Sequence, residues 1–214
     1  MNKANYVLLD AARMDGAIHH ARQINPDNTC LYEGDSEKFL AAVAPWLFSF
    51  ESGGEFAQWV TANGKRNNWG IFFRSAVEPV KLYKHLRRFL IVQTEEGREL
   101  YFRYYDPRIL RVFLPTCDQD QLKEFFGPIT AFVAEDENGL LVEYALSEND
   151  LVFSELALDM DSLVDHPAVP VVRAEQLTEA EQATDPGTTG QSQETGGIRV
   201  QRSSTPSKGW DFGY

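Results

Sequence analysis

Residues 69–92 read WGIFFRSAVEPVKLYKHLRRFLIV, and the apolar period changes partway along them. The run WGIFF at 69–73 shows no alternation, as a strand does when both of its faces are covered. From about residue 76 to 89 the spacing turns helical. Val80, Tyr83, Leu86 and Leu90 then fall on one face for a core, while Lys81, Lys84, Arg87 and Arg88 gather on the other. Ser75, with Glu78 three residues on, reads as a capping box for this helix.

The same succession of strand and helix recurs on the N-terminal side. YVLLD at 6–10 reads as a buried strand, followed by a helix over about 12–24 that stops before Asn25 and Pro26. Residues 30–32 read as a strand, and Asp35 is placed to cap a helix through about Val43. WLFSF at 46–50 is a third apolar run, and 55–63 an amphipathic helix. On the C-terminal side, 89–93 and 100–105 read as a hairpin, with a short helix over 107–113 whose first position is Pro107. Asp118 and Gln121 make a capping box for a helix that Gly127 and Pro128 terminate. A last hairpin joins 131–134 to 140–146, with Asn138 and Gly139 suited to a type I′ turn, and 149–163 reads as an acidic amphipathic helix. The expectation is an α/β fold of mixed α+β character: a central mixed sheet with flanking helices, a short acidic helical segment and a flexible tail. The domain spans 1–146, the acidic segment 147–164, and the tail 165–214, which is rich in Pro, Gly, Ser, Thr, Gln and Glu.

Composition narrows the function classes. The 214 residues carry a net charge of −12, with 43% hydrophobic and 12% aromatic residues, enough for a sizeable core. Charge is uneven: residues 1–64 are net −4, 65–111 net +6, and 112–214 net −14. A basic middle between acidic flanks favours oriented docking of a polypeptide, and the overall sign argues against nucleic acid as a primary partner. No apolar run is long enough to span a membrane, and MNKANYVLLD lacks a signal-peptide core, so a cytoplasmic, soluble protein is expected. Cys30 and Cys117 are too few and too far apart for a disulfide framework or a metal site; no metal or cofactor is expected.

Catalytic signatures are absent: no phosphate-binding glycine loop, nucleophile elbow or zinc helix occurs. His19 and His20 diverge on a helix, and His85 and His166 stand alone, so none is read as a ligand. The densest polar motif, RYYDPR at 103–108, holds Asp106 between Arg103 and Arg108. It reads as a corner in which Asp106 caps the helix at Pro107 and an arginine pairs with it; the chemical alternative is an anion clamp or ionised catalytic carboxylate. Trp46, Trp59 and Trp69 read as core. Trp210, Phe212 and Tyr214 place three aromatics at the end of the tail, as a short docking peptide would. The strongest surface feature is the basic face of Lys81, Lys84, Arg87 and Arg88.

Taken in order, YVLLDAAR, CLYEG, APWLFSF, the 69–92 stretch, ELYFRYYDPRILRVFLP and EFFGPI resemble the family of type VI secretion effector chaperones, or adaptors, over residues 6 to about 132. The motifs carrying the resemblance are Pro45 and Trp46 with Leu47, Ser75 before the basic helix with His85, Leu86 and Arg87, then Arg103, Asp106, Pro107 and Arg108, and finally Phe126, Gly127 and Pro128. The resemblance implies a non-catalytic bacterial cytoplasmic protein. Such a protein binds a toxic effector and helps load it onto the valine-glycine-repeat spike or its PAAR-type tip. The alternatives are an immunity-like toxin inhibitor, or an enzyme using the Arg103, Asp106 and Arg108 cluster, which would be expected to show a composite polar cleft.

Overall fold

Tyr6, Val7, Leu8 and Leu9 are all buried, and the period of two sends Tyr6 and Leu8 to one face of the sheet and Val7 and Leu9 to the other. A strand apolar on both faces belongs inside a sheet, and β1 (Ala4–Asp10) lies between two partners. The computed structural model describes residues 4–50, 54–93, 98–156 and 172–173. After β1 come α1 (Ile18–Ile24), β2 (Asn28–Cys30), α2 (Asp35–Leu40), β3 (Pro45–Phe50), α3 (Glu55–Gly64) and β4 (Gly70–Ser75). Then follow α4 (Pro79–Arg87), β5 (Ile91–Gln93), β6 (Glu99–Tyr101), α5 (Pro107–Phe113) and α6 (Gln119–Phe126). The chain ends in β7 (Ile129–Glu135), β8 (Leu141–Ser147), β9 (Asp150–Leu156) and β10 (Val172–Arg173).

Eight strands form one sheet in the order β10-β9-β8-β7-β4-β1-β3-β2, and β5 with β6 form a separate two-stranded ribbon. The expected mixed α/β class, a central sheet with flanking helices, is the observed one. Every strand pair is antiparallel, however. The alternation of strand and helix arises because β3 and β4 flank β1, each antiparallel to it, and so run parallel to one another with α3 as their crossover. Residues of α1 and α3 (Ile18, Ala21, Phe56, Val60) pack on the face of Val7 and Leu9. Residues of α4, α5 and α6 (Leu82, Leu86, Leu110, Phe125, Phe126) pack on the face of Tyr6 and Leu8. On that second face Phe132 of β7 lies 5.2 Å from Phe125 and 5.0 Å from Phe126 between ring centroids, and 6.1 Å from Phe73 of β4. This aromatic cluster welds α6 to the sheet, and truncating Phe132 to alanine would cost roughly 3–5 kcal/mol.

Several local expectations need correction. The helix expected over 12–24 begins as a 3-10 turn at Ala11–Arg13, capped by Asp10, and is broken by Asp15 and Gly16 at φ of 44° and 82° before α1. Asp35 is the first residue of α2 rather than its cap; Gly34 holds the cap position. The core face of α4 is Leu82, His85 and Leu86, while Val80 is 64% exposed. Ser75 does not cap α4, whose N-cap is Glu78. The hairpin ribbon is shorter than expected, β6 ending at Tyr101. In the β7–β8 turn only Gly139 is left-handed (φ 79°), so the five-residue connection 136–140 is not a two-residue type I′ turn. The two-residue turn with both residues at positive φ is instead Glu148 and Asn149, between β8 and β9. Residues 150–156, expected as part of an acidic helix, are therefore strand β9, and 157–164 lie outside the described residues. Within the expected tail, Val172 and Arg173 pair with Phe153 and Val152. Among the described residues no helix is long and apolar enough to cross a membrane.

Candidate functional site

The motif residues meet at the two ends of β1. At its C-terminal end Asp10 lies opposite Pro45 in the β1–β3 register. The Pro45 carbonyl accepts from Leu31 N–H at 2.9 Å. Trp46 next to it donates from Nε1 to the Ala41 carbonyl at 2.9 Å, with the Arg22 guanidinium 3.9 Å above its ring. Asp10 is wholly buried, accepts from the Ala12 amide at 3.1 Å, and forms an ion pair with Arg103. Burial pushes the Asp10 carboxyl above the usual carboxylate range, and the bonds from Arg103 and Ala12 only partly offset it.

The RYYDPR corner follows. Asp106 accepts from the Arg108 amide at 3.1 Å and caps α5 at Pro107, while the Arg108 guanidinium binds its carboxylate in bidentate fashion at 3.0 and 2.6 Å. Burial opposes ionisation of Asp106, but the Arg108 side chain and amide outweigh it and hold the carboxyl below its ordinary range. Tyr104, buried between them, donates to the Leu86 carbonyl at 2.8 Å and so ties the corner to α4. The capping role of Asp106 is as expected, and Arg108 is its partner; Arg103 turns instead to Asp10. Arg103 and the Ala12 amide engage Asp10, Arg108 engages Asp106, and Asp10 exposes 1% of its side chain, so nothing reaches it without displacing Arg103.

Ser75, His85, Gly127 and Pro128 form the second knot. Ala4 faces Ser75 in the β1–β4 register, and Ser75 Oγ donates to the Pro128 carbonyl at 2.9 Å. His85 Nε2 meets the Phe125 carbonyl at 2.8 Å, and its ring is edge-on to Phe89. Burial lowers the His85 pKa, with the Phe125 bond opposing, and Nε2 donates to that carbonyl. Gly127 at φ 47° closes α6 against that ring. The motif residues are thus joints of the scaffold.

The surface residues divide differently. Arg87 pairs with Glu33, and Arg88 with Glu124 at 2.6 Å. Lys81 and Lys84 are exposed and make no ion pair among the described residues. Trp210, Phe212 and Tyr214 lie outside the described residues. Burial raises the Cys30 thiol pKa and pushes that of Cys117 up to about 12, so neither thiolate forms readily. Among the described residues no cluster of His, Cys, Asp or Glu is placed to hold a metal ion.

Sequence reasoning missed one surface. Residues 35–43, in α2 and the 3-10 turn after it, bury no side chain, and Phe39 is 81%, Leu40 38% and Val43 47% exposed. The three follow one another across the end of α2 and the 3-10 turn Ala41–Val43. Glu33, two residues before α2, accepts from Tyr83 at 3.1 Å and pairs with Arg87, which ties the segment leading into α2 to α4. The apolar stripe was readable in KFLAAV, but its facing outward was not. Arg108 also borders an open polar cleft at the β7–β8 turn, together with Arg66 and Arg111.

Comparison with curated proteins and with solved structures finds no match. The model of one family, a domain of unknown function (DUF4123), matches residues 5–124, more than half of the 214 residues, and the chain belongs to that family.

Proposed function

We propose that this protein is a cytoplasmic adaptor, or chaperone, that binds a type VI secretion effector without catalysing a reaction and helps load it onto the valine-glycine-repeat spike or its PAAR-type tip. The observation that carries the reading is the apolar turn of Phe39, Leu40 and Val43, which the described fold leaves exposed. A monomer gains nothing by holding Phe39 in water, whereas burying such a side chain against a client contributes about 1.5–3 kcal/mol, roughly one to two decades of affinity. Lys81 and Lys84, uncommitted to ion pairs within the described fold, supply orientation and encounter rate. The engagement of Asp10 by Arg103 and of Asp106 by Arg108 supports a structural rather than catalytic use of the polar corner.

The test is co-expression with the product of the neighbouring large gene. The tagged chain should retain that product through purification and raise both its yield and its secretion. Blockage of the product's toxicity in a susceptible cell, with yield and secretion unchanged, would replace the adaptor by an inhibitor.

A further inference from the structure

Because neighbouring strands alternate in direction, the last residue of β4, the first of β7, the last of β8, the first of β9 and the last of β10 come to one end of the sheet. The registers place them there: Ser75 pairs with Ile129, Ala131 with Ala145, Ser147 with Asp150, and Arg173 with Val152. β10 therefore runs toward this end as it leaves the described residues. α4 starts at the same end, at Pro79, four residues after Ser75. Four strand spacings separate β10 from β4, roughly 19 Å at about 4.8 Å each, a span that about six extended residues cover.

The near side of α4 carries charge that the described fold leaves unmatched. Lys81 and Arg88, seven residues apart, fall on one side of the helix with Lys84 between them. Arg88 meets Glu124 of α6 at 2.6 Å, so that side faces α6, while Tyr83 and Arg87 on the other side hold Glu33. Arg88 is thereby neutralised. Lys81 and Lys84 are exposed and make no ion pair among the described residues. Glu78 is the one carboxylate between residues 76 and 88, and it holds the N-cap position, where the helix dipole favours an anion. Val80, 64% exposed, adds an apolar position one turn from Lys84.

The sequence that follows β10 is of the opposite sign. Residues 174–198 read AEQLTEAEQATDPGTTGQSQETGGI and lie outside the described residues. They hold five carboxylates and no lysine or arginine, and four of the five, Glu175, Glu179, Glu181 and Asp185, fall within 174–185 around Leu177. Attachment at Arg173 presents them to α4 at an effective concentration on the order of millimolar.

We infer that residues 174–185 of this chain dock on the α6 side of α4, with their carboxylates on Lys81 and Lys84 and Leu177 against Val80, and that they cover these lysines until a client displaces them. Only the displacement by a client rests on the proposed adaptor role. Charge complementarity, the point at which β10 leaves the sheet and the reach of the chain beyond it select this occupant. A second copy offers the same carboxylates without the tether. The contact is a competitor, so it lowers the apparent affinity for a client by the fraction of molecules in which α4 is covered.

Zero-length carbodiimide coupling of the full chain reads the contact without any client, because it joins a lysine amine to a carboxylate only where the two touch. Mass spectrometry of the monomeric product should find cross-links from Lys81 or Lys84 to Glu175, Glu179 or Glu181. Lys65 is the internal reference, since it lies by Glu135 at the opposite end of β7. Links to the α4 lysines should exceed those to Lys65 about tenfold at low salt and vanish in about 1 M salt, where the Debye length is about 3 Å. Glu175→Gln with Glu179→Gln and Glu181→Gln should abolish them at an unchanged melting temperature. The same triple variant should capture the product of the neighbouring large gene about threefold better at low salt, as expected if about two-thirds of the parent molecules are covered. Cross-links spread equally over Lys65, Lys81 and Lys84, formed only between copies, or absent altogether overturn the contact, and capture unchanged in the triple variant overturns the masking. If the cross-links form but no variant captures the effector, the adaptor role fails and the contact stands; if none form and the effector is captured, the contact fails and the adaptor role stands.

Discussion

Arg103 closes onto the carboxylate of Asp10 across 93 residues of sequence, joining the loop after the β5–β6 ribbon to the end of the central strand. The arginine end is 42% exposed and the aspartate end 1%. The pair is therefore asymmetric: removing the arginine strands a buried carboxylate, whereas removing the carboxylate releases an arginine to water. Arg103→Met should cost about 2–3 kcal/mol by urea denaturation, somewhat below the roughly 3–5 of a wholly buried pair. Adding Asp10→Asn should recover part of the loss, giving a coupling above about 0.5 kcal/mol. Additive losses would show that the two groups do not act together.

A Cβ on Gly127 would lie 2.4 Å from Cε1 of His85, and Gly127 is left-handed as well. Gly127→Ala should therefore cost at least about 2 kcal/mol, more than strain alone accounts for, and less when combined with His85→Ala, which clears the space. The same histidine gives a pH signature. Its folded pKa lies below the ordinary 6.5, so the unfolded chain takes up protons first and stability is lost as pH falls below that value. The urea midpoint should drop between about pH 7.5 and 5.5, and the drop should be smaller in His85→Gln. An identical slope in both proteins would show that another group titrates.

What was legible in the sequence is what local chemistry determines. YVLLD and WGIFF announce interior strands because both faces are apolar, and Asp106 before Pro107 announces a cap because the capped amide is two residues away. The capping box of Asp118 and Gln121 is present with both of its bonds. Long-range partners left no such mark: nothing near Asp10 points to Arg103, nor near Ser75 to Pro128. The α4 stripe was misread because two apolar stripes compete there. Val80 and Tyr83 outweigh Leu82 and His85 only while histidine is counted as polar, and the carbonyl that satisfies His85 belongs to another helix. The β7–β8 and β8–β9 turns show the limit of composition. Asn138 and Gly139 look like a type I′ turn, yet Asp136 accepting two turn amides selects a longer connection over 136–140, and register places Glu148 and Asn149 in the left-handed pair instead.

The basic face of α4 is two surfaces of different use. Lys81→Glu with Lys84→Glu breaks no ion pair within the described fold and should change stability by less than about 0.5 kcal/mol. Arg87→Glu places an acid against Glu33 and removes the tie between α4 and the segment before α2, so it should lower the melting temperature measurably, on the scale of about 1 kcal/mol or less for a half-exposed pair. Calorimetry separates the two cases. Effector capture at low salt should weaken with the lysine pair, and salt should abolish the difference.

Phe39 is 81% exposed among the described residues, so its replacement separates binding from folding. Phe39→Ser should leave the urea midpoint within about 0.5 kcal/mol of the parent, because α2 contributes no buried side chain. Phe48, by contrast, is fully buried and stacked 4.9 Å from Phe56, and Phe48→Ala should cost roughly 3–5 kcal/mol. If the apolar turn is a client surface, Phe39→Ser with Leu40→Ser should reduce effector retention about tenfold or more, and high salt should not erase that loss, since apolar burial is not screened. Retention unchanged in the folded double variant would remove this face from the client contact and leave the lysines of α4 as the surface to examine.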